Sequence, residues 1–351
     1  MKSSFAINGR KIGPGHPVYI IAEMSANHHQ DFAQAEAIVR AAKQAGADAI
    51  KLQTYTADTM TIDARGPSFQ IGRGTLWEGR NLHDLYGEAT TPWAWQPKLK
   101  RLADELGLAC FSTPFDATAV EFLERMDVPA HKIASFELVD LDLIRRVACT
   151  GKPVIMSTGM GSLQEIDEAV EAFRTAGGTQ LALLKCTSAY PALPAEMNLR
   201  TIPHLAEAFG VVAGLSDHTM GVAAPVAAVA LGACIVEKHF TLSRAVPGPD
   251  SAFSLEPDEF KAMVGAVRET EQALGRVSYE VSEKEKASRV FRRSLFVVAD
   301  VGAGELLTAE NVRCIRPGTG MHPRHLPEVL GRRASRDLAR GTPLEWSSIS
   351  N

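Results

Sequence analysis

From residue 18 to residue 240, short runs rich in β-branched residues alternate with longer stretches whose apolar positions recur at helical spacing. The runs are VYIIAE (18–23), ADAIKLQT (47–54), LACFST (108–113), HKIAS (131–135), PVIMST (153–158), LALLKCT (181–187), VVAGLSD (211–217) and CIVEKHF (234–240). Between them lie helical patterns at 31–47, 92–107, 116–126, 141–151, 162–178 and 221–233. Several of these open on Asp, Ser or Pro and close at Gly, the usual start and stop signals. Eight strand–helix units in one continuous stretch predict a closed (β/α)8 TIM barrel, an α/β fold, rather than an open doubly wound sheet. No G-x-G-x-x-G follows the first run, so the dinucleotide-binding alternative lacks its fingerprint.

The pattern changes after the barrel. GRVSYEVSEKEKASR (275–289) is polar, and residues 294–346 show short strands broken by turn residues. The expected division is a barrel over 1–275, a linker over 276–290 and a small domain over 291–351. Residues 55–90, between the second strand and its helix, far exceed the two to six residues typical of such a loop, and loops of that length are usually lids or binding segments.

Composition narrows the class. The 351 residues are 45% hydrophobic and 22% charged, ordinary globular values that exclude disorder. Five scattered cysteines without a C-x-x-C argue for free thiols and a cytoplasmic setting. The N-terminus lacks the apolar core of a signal peptide, and the longest apolar stretch, 222–236, contains Pro225 and Gly232. Neither feature suits a membrane protein. Net charge is −4, but residues 289–351 hold ten Arg, no Lys and six acids, which leaves eight net negative charges on the rest. These arginines are dispersed rather than clustered, so nucleic acid is not the expected partner and an anionic substrate is.

The strand ends carry the candidate chemistry. They hold Glu23; Lys51 and Gln53; Thr113; Lys132 and Ser135; Ser157; Lys185; Ser216, Asp217 and His218; Glu237, Lys238 and His239. In a barrel all these ends meet at one mouth, where active sites sit. Alternation places Lys51 with Gln53 on one side of their strand and Glu237 with His239 on one side of theirs. Two imidazoles on adjacent strands, His218 and His239, suit one divalent ion with an open coordination sphere. Four lysines (51, 132, 185 and 238) at the mouth suggest a phosphate or carboxylate on the substrate. A lysine Schiff base remains the rival chemistry.

These segments, AEMSANHHQ, GADAIKLQTYTADTMT, STPFD, KIASFE, STGMGS, KCTSAYP, GLSDHTMG and VEKHF, resemble the sialic acid synthase family in content and order. The tail RPGTGMHP…LGRRASRDLARGTPL resembles the antifreeze-protein-like (SAF) domain that ends those enzymes. Residues 74–95, KCTSAYP and residues 249–268 are most similar to the branch that makes pseudaminic acid; the N-acetylneuraminate and legionaminic acid branches are the alternatives. The resemblance implies a transferase that condenses phosphoenolpyruvate with the open-chain aldehyde of an N-acetylated amino sugar. Water attacks the enolpyruvyl C2 and phosphate leaves by C–O cleavage. It implies Mn2+, Co2+ or Mg2+ on His218 and His239, and phosphoenolpyruvate on Lys51, Thr113, Lys132, Ser135, Ser188 and Ser216. Glu23, Gln53, Glu137, Tyr190 and Asp250 fall at sugar-side or acid–base positions. Arg316 corresponds to an arginine given to a neighbouring subunit's sugar site, which implies a domain-swapped homodimer. The implied product serves cell-surface glycans, including those of flagellin. For a 6-deoxy sugar, Trp77, Trp93 and Trp95 would either wall the methyl group or anchor the long loop in the core. The residue-based rival is a metal-dependent barrel hydrolase, but the first strand ends in Glu23 rather than the H-x-H pair expected there.

Overall fold

The computed structural model describes residues 4–350. Residues 1–3 of the N-terminal stretch and residue 351 of the expected tail domain lie outside it. Two compact units are present, 1–275 and 276–351.

The first unit opens with an antiparallel hairpin, β1 (Phe5–Ile7) and β2 (Arg10–Ile12). Eight parallel strands then close a barrel in chain order: β3 (Tyr19–Glu23), β4 (Ala49–Thr54), β5 (Ala109–Pro114), β6 (His131–Ile133), β7 (Val154–Ser157), β8 (Leu181–Cys186), β9 (Val212–Asp217) and β10 (Ile235–His239), with β10 returning to β3. The helices are α1 (Phe32–Gln44), α2 (Ala57–Met60), α3 (Leu82–Ala89), α4 (Gln96–Glu105), α5 (Ala117–Arg125), α6 (Leu141–Ala148), α7 (Leu163–Thr175), α8 (Thr201–Phe209), α9 (Ala223–Ala230) and α10 (Pro257–Leu274). All eight expected strands are found. The long β4–α4 connection contains α2 and α3 rather than bare loop. Helices α8 and α10 lie outside the segments picked out above. Pro203 sits within the first turn of the unbroken α8, and α10 starts at Pro257 after a non-repetitive segment. Local signals set the other helix starts. Asp31 caps α1 by accepting from Ala33 N–H at 2.9 Å, and Ser162 with Glu165 forms a capping box on α7.

Strand alternation builds the interior in layers. Tyr19, Ile21, Ala49, Phe111, Ile155, Ala182, Leu184, Val212 and Ile235 form the lower core and pack against Phe5, Ile7 and Ile12 of the hairpin, which closes the N-terminal face of the barrel. The outward residues of β3, β4 and β5, including Ile20, Ala22, Ile50, Leu52 and Cys110, pack against α1, α4 and α10. On β9, Gly214 is required: a Cβ there would stand 2.5 Å from the Ile235 carbonyl oxygen and 2.7 Å from Leu184 Cδ2. The same alternation, continued upward past the apolar layers, turns Glu23, Lys51, Gln53, Thr113, Lys132, Ser157, Ser216, Glu237 and His239 inward.

The second unit has its own core of Leu295, Val297, Val301, Leu307, Val312, Val329, Leu338 and Leu344. It contains α11 (Glu283–Ser288), β11 (Ser294–Val297) paired antiparallel with β12 (Val312–Ile315), α12 (Leu326–Val329), and β13 (Arg333–Ala334) paired with β14 (Ile349–Ser350). Among the described residues no helix is long and apolar enough to cross a membrane.

Candidate active site

The C-terminal strand ends surround a cavity of about 460 Å³, a size suited to a small substrate. Glu23, Lys51, Gln53, Lys132, Ser135, Glu137, Tyr190, Ser216, His218, His239 and Asp250 all line it. Thr113 sits just behind and accepts from Lys51 Nζ at 3.2 Å. Ser188 and Ser135 crowd Gly159, where a Cβ would stand 2.2 Å and 2.6 Å from their hydroxyl oxygens. The Gly159 N–H donates to Ser135 Oγ at 3.2 Å, so a small residue there keeps both serines and a backbone donor at one spot. Arg316 belongs to the second unit and is solvent-exposed.

Two of the four lysines expected at the mouth do not reach it. Lys185 and Lys238 have the wrong parity on their strands and point away from the barrel axis. Lys185 Nζ bonds the Cys186 carbonyl at 2.8 Å, and Lys238 is fully buried against Asp217 at 2.5 Å. The inward pair, Lys51 and Lys132, instead flanks Glu237. The distances are 3.8 Å from Lys51 Nζ and 3.9 Å from Lys132 Nζ to its Oε1, which also accepts from Ser216 Oγ at 3.2 Å. Glu237 is thus central. Strand alternation places it inward beside His239, but spacing alone assigns it no role. Lys132 Nζ further donates to Ser157 Oγ at 2.7 Å.

Burial governs the electrostatics. Desolvation pushes the Lys132 ammonium below its usual range, opposed by Glu237. It acts the same way on Lys51, but Glu23 and Glu237 outweigh it and hold that lysine charged. The Glu23 carboxyl is raised by burial against the pull of its ion-pair partner Lys51. Burial also raises Glu137 to about 7, only partly offset by Lys132. Its Oε2 is buried without a hydrogen-bond partner. A carboxyl in that range can give or take a proton near neutral pH. Asp250 accepts from Ser25 Oγ and from Ala26 N–H, tying the β3 and β10 loops together.

The imidazoles fit a metal. Their ring centroids are 5.3 Å apart. His218 Nδ1–H donates to the Thr187 carbonyl at 2.9 Å, so the lone pair of the neutral ring lies on Nε2. His239 Nδ1 is buried without a partner, and burial together with the nearby cations keeps this ring neutral, the form that binds metal. No third His, Cys, Asp or Glu joins them as a ready-made cluster among the described residues, so the coordination sphere would stay open.

The long connection supplies the opposite wall: Met60, Ile71, Trp77, Leu82, Leu85, Tyr86 and Ala89. Trp77 packs on Tyr190 at 5.5 Å and donates its indole N–H to the Pro249 carbonyl at 2.9 Å. Trp93 and Trp95 are anchors. Trp93 donates to the Tyr55 carbonyl and packs on Phe122, while Trp95 packs on His28 and Phe32. Sequence alternation alone could not separate these roles, since all three lie outside strands.

Residues 38–279 match the NeuB family and residues 292–350 match the SAF domain. The chain is 47% identical to the pseudaminic acid synthase of Campylobacter jejuni, covering 95% of this chain and 96% of that one. It is 45% identical to the pseudaminic acid synthase of Helicobacter pylori, covering 95% and 98%. The crystal structure of an N-acetylneuraminic acid synthetase from Leptospira borgpetersenii, in complex with citrate, superimposes with a TM-score of 0.73 at 30% identity, covering 82% of this chain and 95% of that one. Barrel, mouth chemistry and tail agree with these matches, and the chain belongs to the NeuB family, the sialic acid synthases, with a SAF domain at its C-terminal end.

Proposed function

We propose that this chain is a pseudaminic acid synthase. It joins phosphoenolpyruvate to the open-chain aldehyde of 2,4-diacetamido-2,4,6-trideoxy-L-altrose and releases phosphate. The observation that carries this reading is one cavity with three kinds of wall. Lys51 and Lys132 form a cationic floor, two imidazoles and a neutral-range carboxyl line the same space, and an apolar face lies opposite. Both of the relatives described above, at 47% and 45% identity, are named for that activity. The apolar face suits a sugar with a methyl at C6, because the Trp77 N–H is already engaged by Pro249 and offers nothing to a hydroxyl there.

Each step follows from the residues. Lys51 and Lys132, with Thr113, Ser135, Ser188 and Ser216 around them, take the phosphate and carboxylate of phosphoenolpyruvate as charge-assisted partners. A divalent ion on His218 and His239 would polarise the aldehyde oxygen as a Lewis acid. Gln53, Tyr190 and Asp250 orient the sugar so that its carbonyl carbon meets the enol C3. Carbon–carbon bond formation leaves positive charge at C2, where water adds. Glu23 and Glu137 are the groups able to take the water's proton and to supply one to the new alkoxide. The tetrahedral intermediate then expels phosphate from C2.

The test is phosphate release from phosphoenolpyruvate with a panel of sugars. The diacetamido-trideoxy altrose is expected to be the good substrate and N-acetylmannosamine a poor one. Activity on N-acetylmannosamine alone would move the chain to the N-acetylneuraminate branch. Chelation is expected to stop turnover, with Mn2+, Co2+ or Mg2+ restoring it. A lysine adduct trapped by borohydride would instead establish Schiff-base chemistry.

A further inference from the structure

Lys238 and Asp217 form a fully buried ion pair on the outer side of the barrel, away from the cavity. The reaction steps above do not use it, yet its position is specific. Asp217 immediately precedes His218, and Lys238 immediately precedes His239. The two residues are direct partners in the β9–β10 register. Lys238 Nζ donates to Asp217 Oδ2 at 2.5 Å and also to the Thr219 carbonyl, while Thr219 N–H donates to Asp217 Oδ1 at 2.9 Å. One ammonium therefore grips the chain on both sides of His218, from a backbone position adjacent to His239. The neighbouring loops add only local restraints: the His218 carbonyl accepts from Ala192 N–H, and the His239 carbonyl from Leu255 N–H. Lys238 ties the two imidazole-bearing segments to each other from behind, as the Ser216 Oγ to Glu237 Oε1 hydrogen bond does from the cavity side.

We propose that the Asp217–Lys238 pair is a positioning device that fixes the separation and facing of His218 and His239, and so sets the affinity of the site for a divalent ion. This rests on the reading that both imidazoles hold that ion. The physical reason lies in parity. Strand alternation sends residues 217 and 238 outward where residues 216, 237 and 239 turn inward, so a rigid cross-strand link can sit behind the site without entering it. A buried ammonium must be paired and hydrogen-bonded to stay charged. Here it has a carboxylate and a carbonyl, and both lie on the segment that carries His218. Partners behind metal-binding imidazoles typically change metal affinity roughly 10- to 100-fold when removed.

The probe is Mn2+ alone, titrated into the full chain and read by the electron paramagnetic resonance signal of free Mn2+. Circular dichroism monitors the fold. The double substitution Asp217→Asn with Lys238→Met removes both charges but keeps an acceptor for Thr219 N–H. We expect it to fold and to bind Mn2+ roughly 10- to 100-fold more weakly, with phosphoenolpyruvate affinity measured without metal unchanged. Lys238→Arg is the second variant. It keeps the charge, but its planar fork cannot reproduce both contacts from the same Cα, so it too is expected to weaken Mn2+ binding, and it decides the matter if the double variant does not fold. His239→Ala is the control. Undiminished Mn2+ binding in His239→Ala would overturn the two-imidazole site itself. Loss in His239→Ala with wild-type affinity in the folded double variant, or in Lys238→Arg, would overturn the positioning role alone. An equal fall in metal-free phosphoenolpyruvate affinity would reduce the pair to general structural support and also overturn it.

Discussion

Replacing Lys132 by methionine tests the anion floor most directly. The side chain is almost fully buried, and its ammonium bonds Ser157 Oγ at 2.7 Å and the Ile133 carbonyl at 2.8 Å, with Glu237 3.9 Å away. Lys51 is paired with Glu23 and shares Glu237 with Lys132. Lys132→Met leaves Glu237 to Lys51 alone, so an anion entering this site loses one desolvated charged partner, which costs about 2–5 kcal/mol, roughly 30- to 4,000-fold in affinity. Methionine matches the lysine stem in volume, so the barrel should remain folded, as a thermal melt would verify. The assay is calorimetric titration with phosphoenolpyruvate, alongside KM for each substrate. Phosphoenolpyruvate should suffer by the full factor while the sugar KM changes little. An equal rise in both KM values, or phosphoenolpyruvate binding within threefold of the parent, would refute the assignment of the floor.

Other expectations follow from single contacts. The Glu137 carboxyl stands at about 7 in the folded chain against 4.5 unfolded, so the folded state binds more protons between these values. Its contribution to stability should fall as pH rises from 4.5 to 7, and Glu137→Gln should remove that share of the fall, at most about 3 kcal/mol, leaving the share of the similarly raised Glu23. The pH–rate profile of the parent should bend near 7, and that bend should vanish in the variant if Glu137 moves the proton. Gly159→Ala would force Ser135 and Ser188 apart; it should raise KM for phosphoenolpyruvate at least tenfold while leaving the melt within a few degrees, and an unchanged KM would place both serines outside the phosphate site. Arg316→Ala co-expressed with His239→Ala should recover part of the activity if the arginine serves a neighbouring subunit, and heterodimers without recovery would remove it from that role.

Much of the architecture was legible because a parallel barrel strand writes itself as a short β-branched run with a polar end. VYIIAE and CIVEKHF announce both their strands and the mouth chemistry in a few letters. The misplacement of Lys185 and Lys238 came from treating a strand end as a point rather than as two faces. Counting by twos from Ile235 gives 237 and 239, and from Ala182 gives 184 and 186, so both lysines fall on the outer face. The information was present in the sequence, but only once an inward apolar residue fixed the phase. The β4–α4 wall was legible in length but not in content. Nothing periodic distinguishes Trp77, which faces the cavity, from Trp93 and Trp95, which anchor it. Their roles depend on contacts with Tyr190, Phe122 and Phe32, far away along the chain.

The packed lower core has a kinetic consequence. With Tyr19, Ile21, Phe111, Ile155 and Ile235 filling the barrel beneath the mouth and Phe5, Ile7 and Ile12 of the hairpin behind them, the cavity is a dead end, and traffic through its mouth is last in, first out. The molecule that occupies the lysine floor must arrive before whatever sits above it, and a sugar already in place would obstruct the anion. Steady-state patterns should therefore be ordered, with phosphoenolpyruvate leading. Excess sugar should inhibit by trapping chains whose floor is still empty.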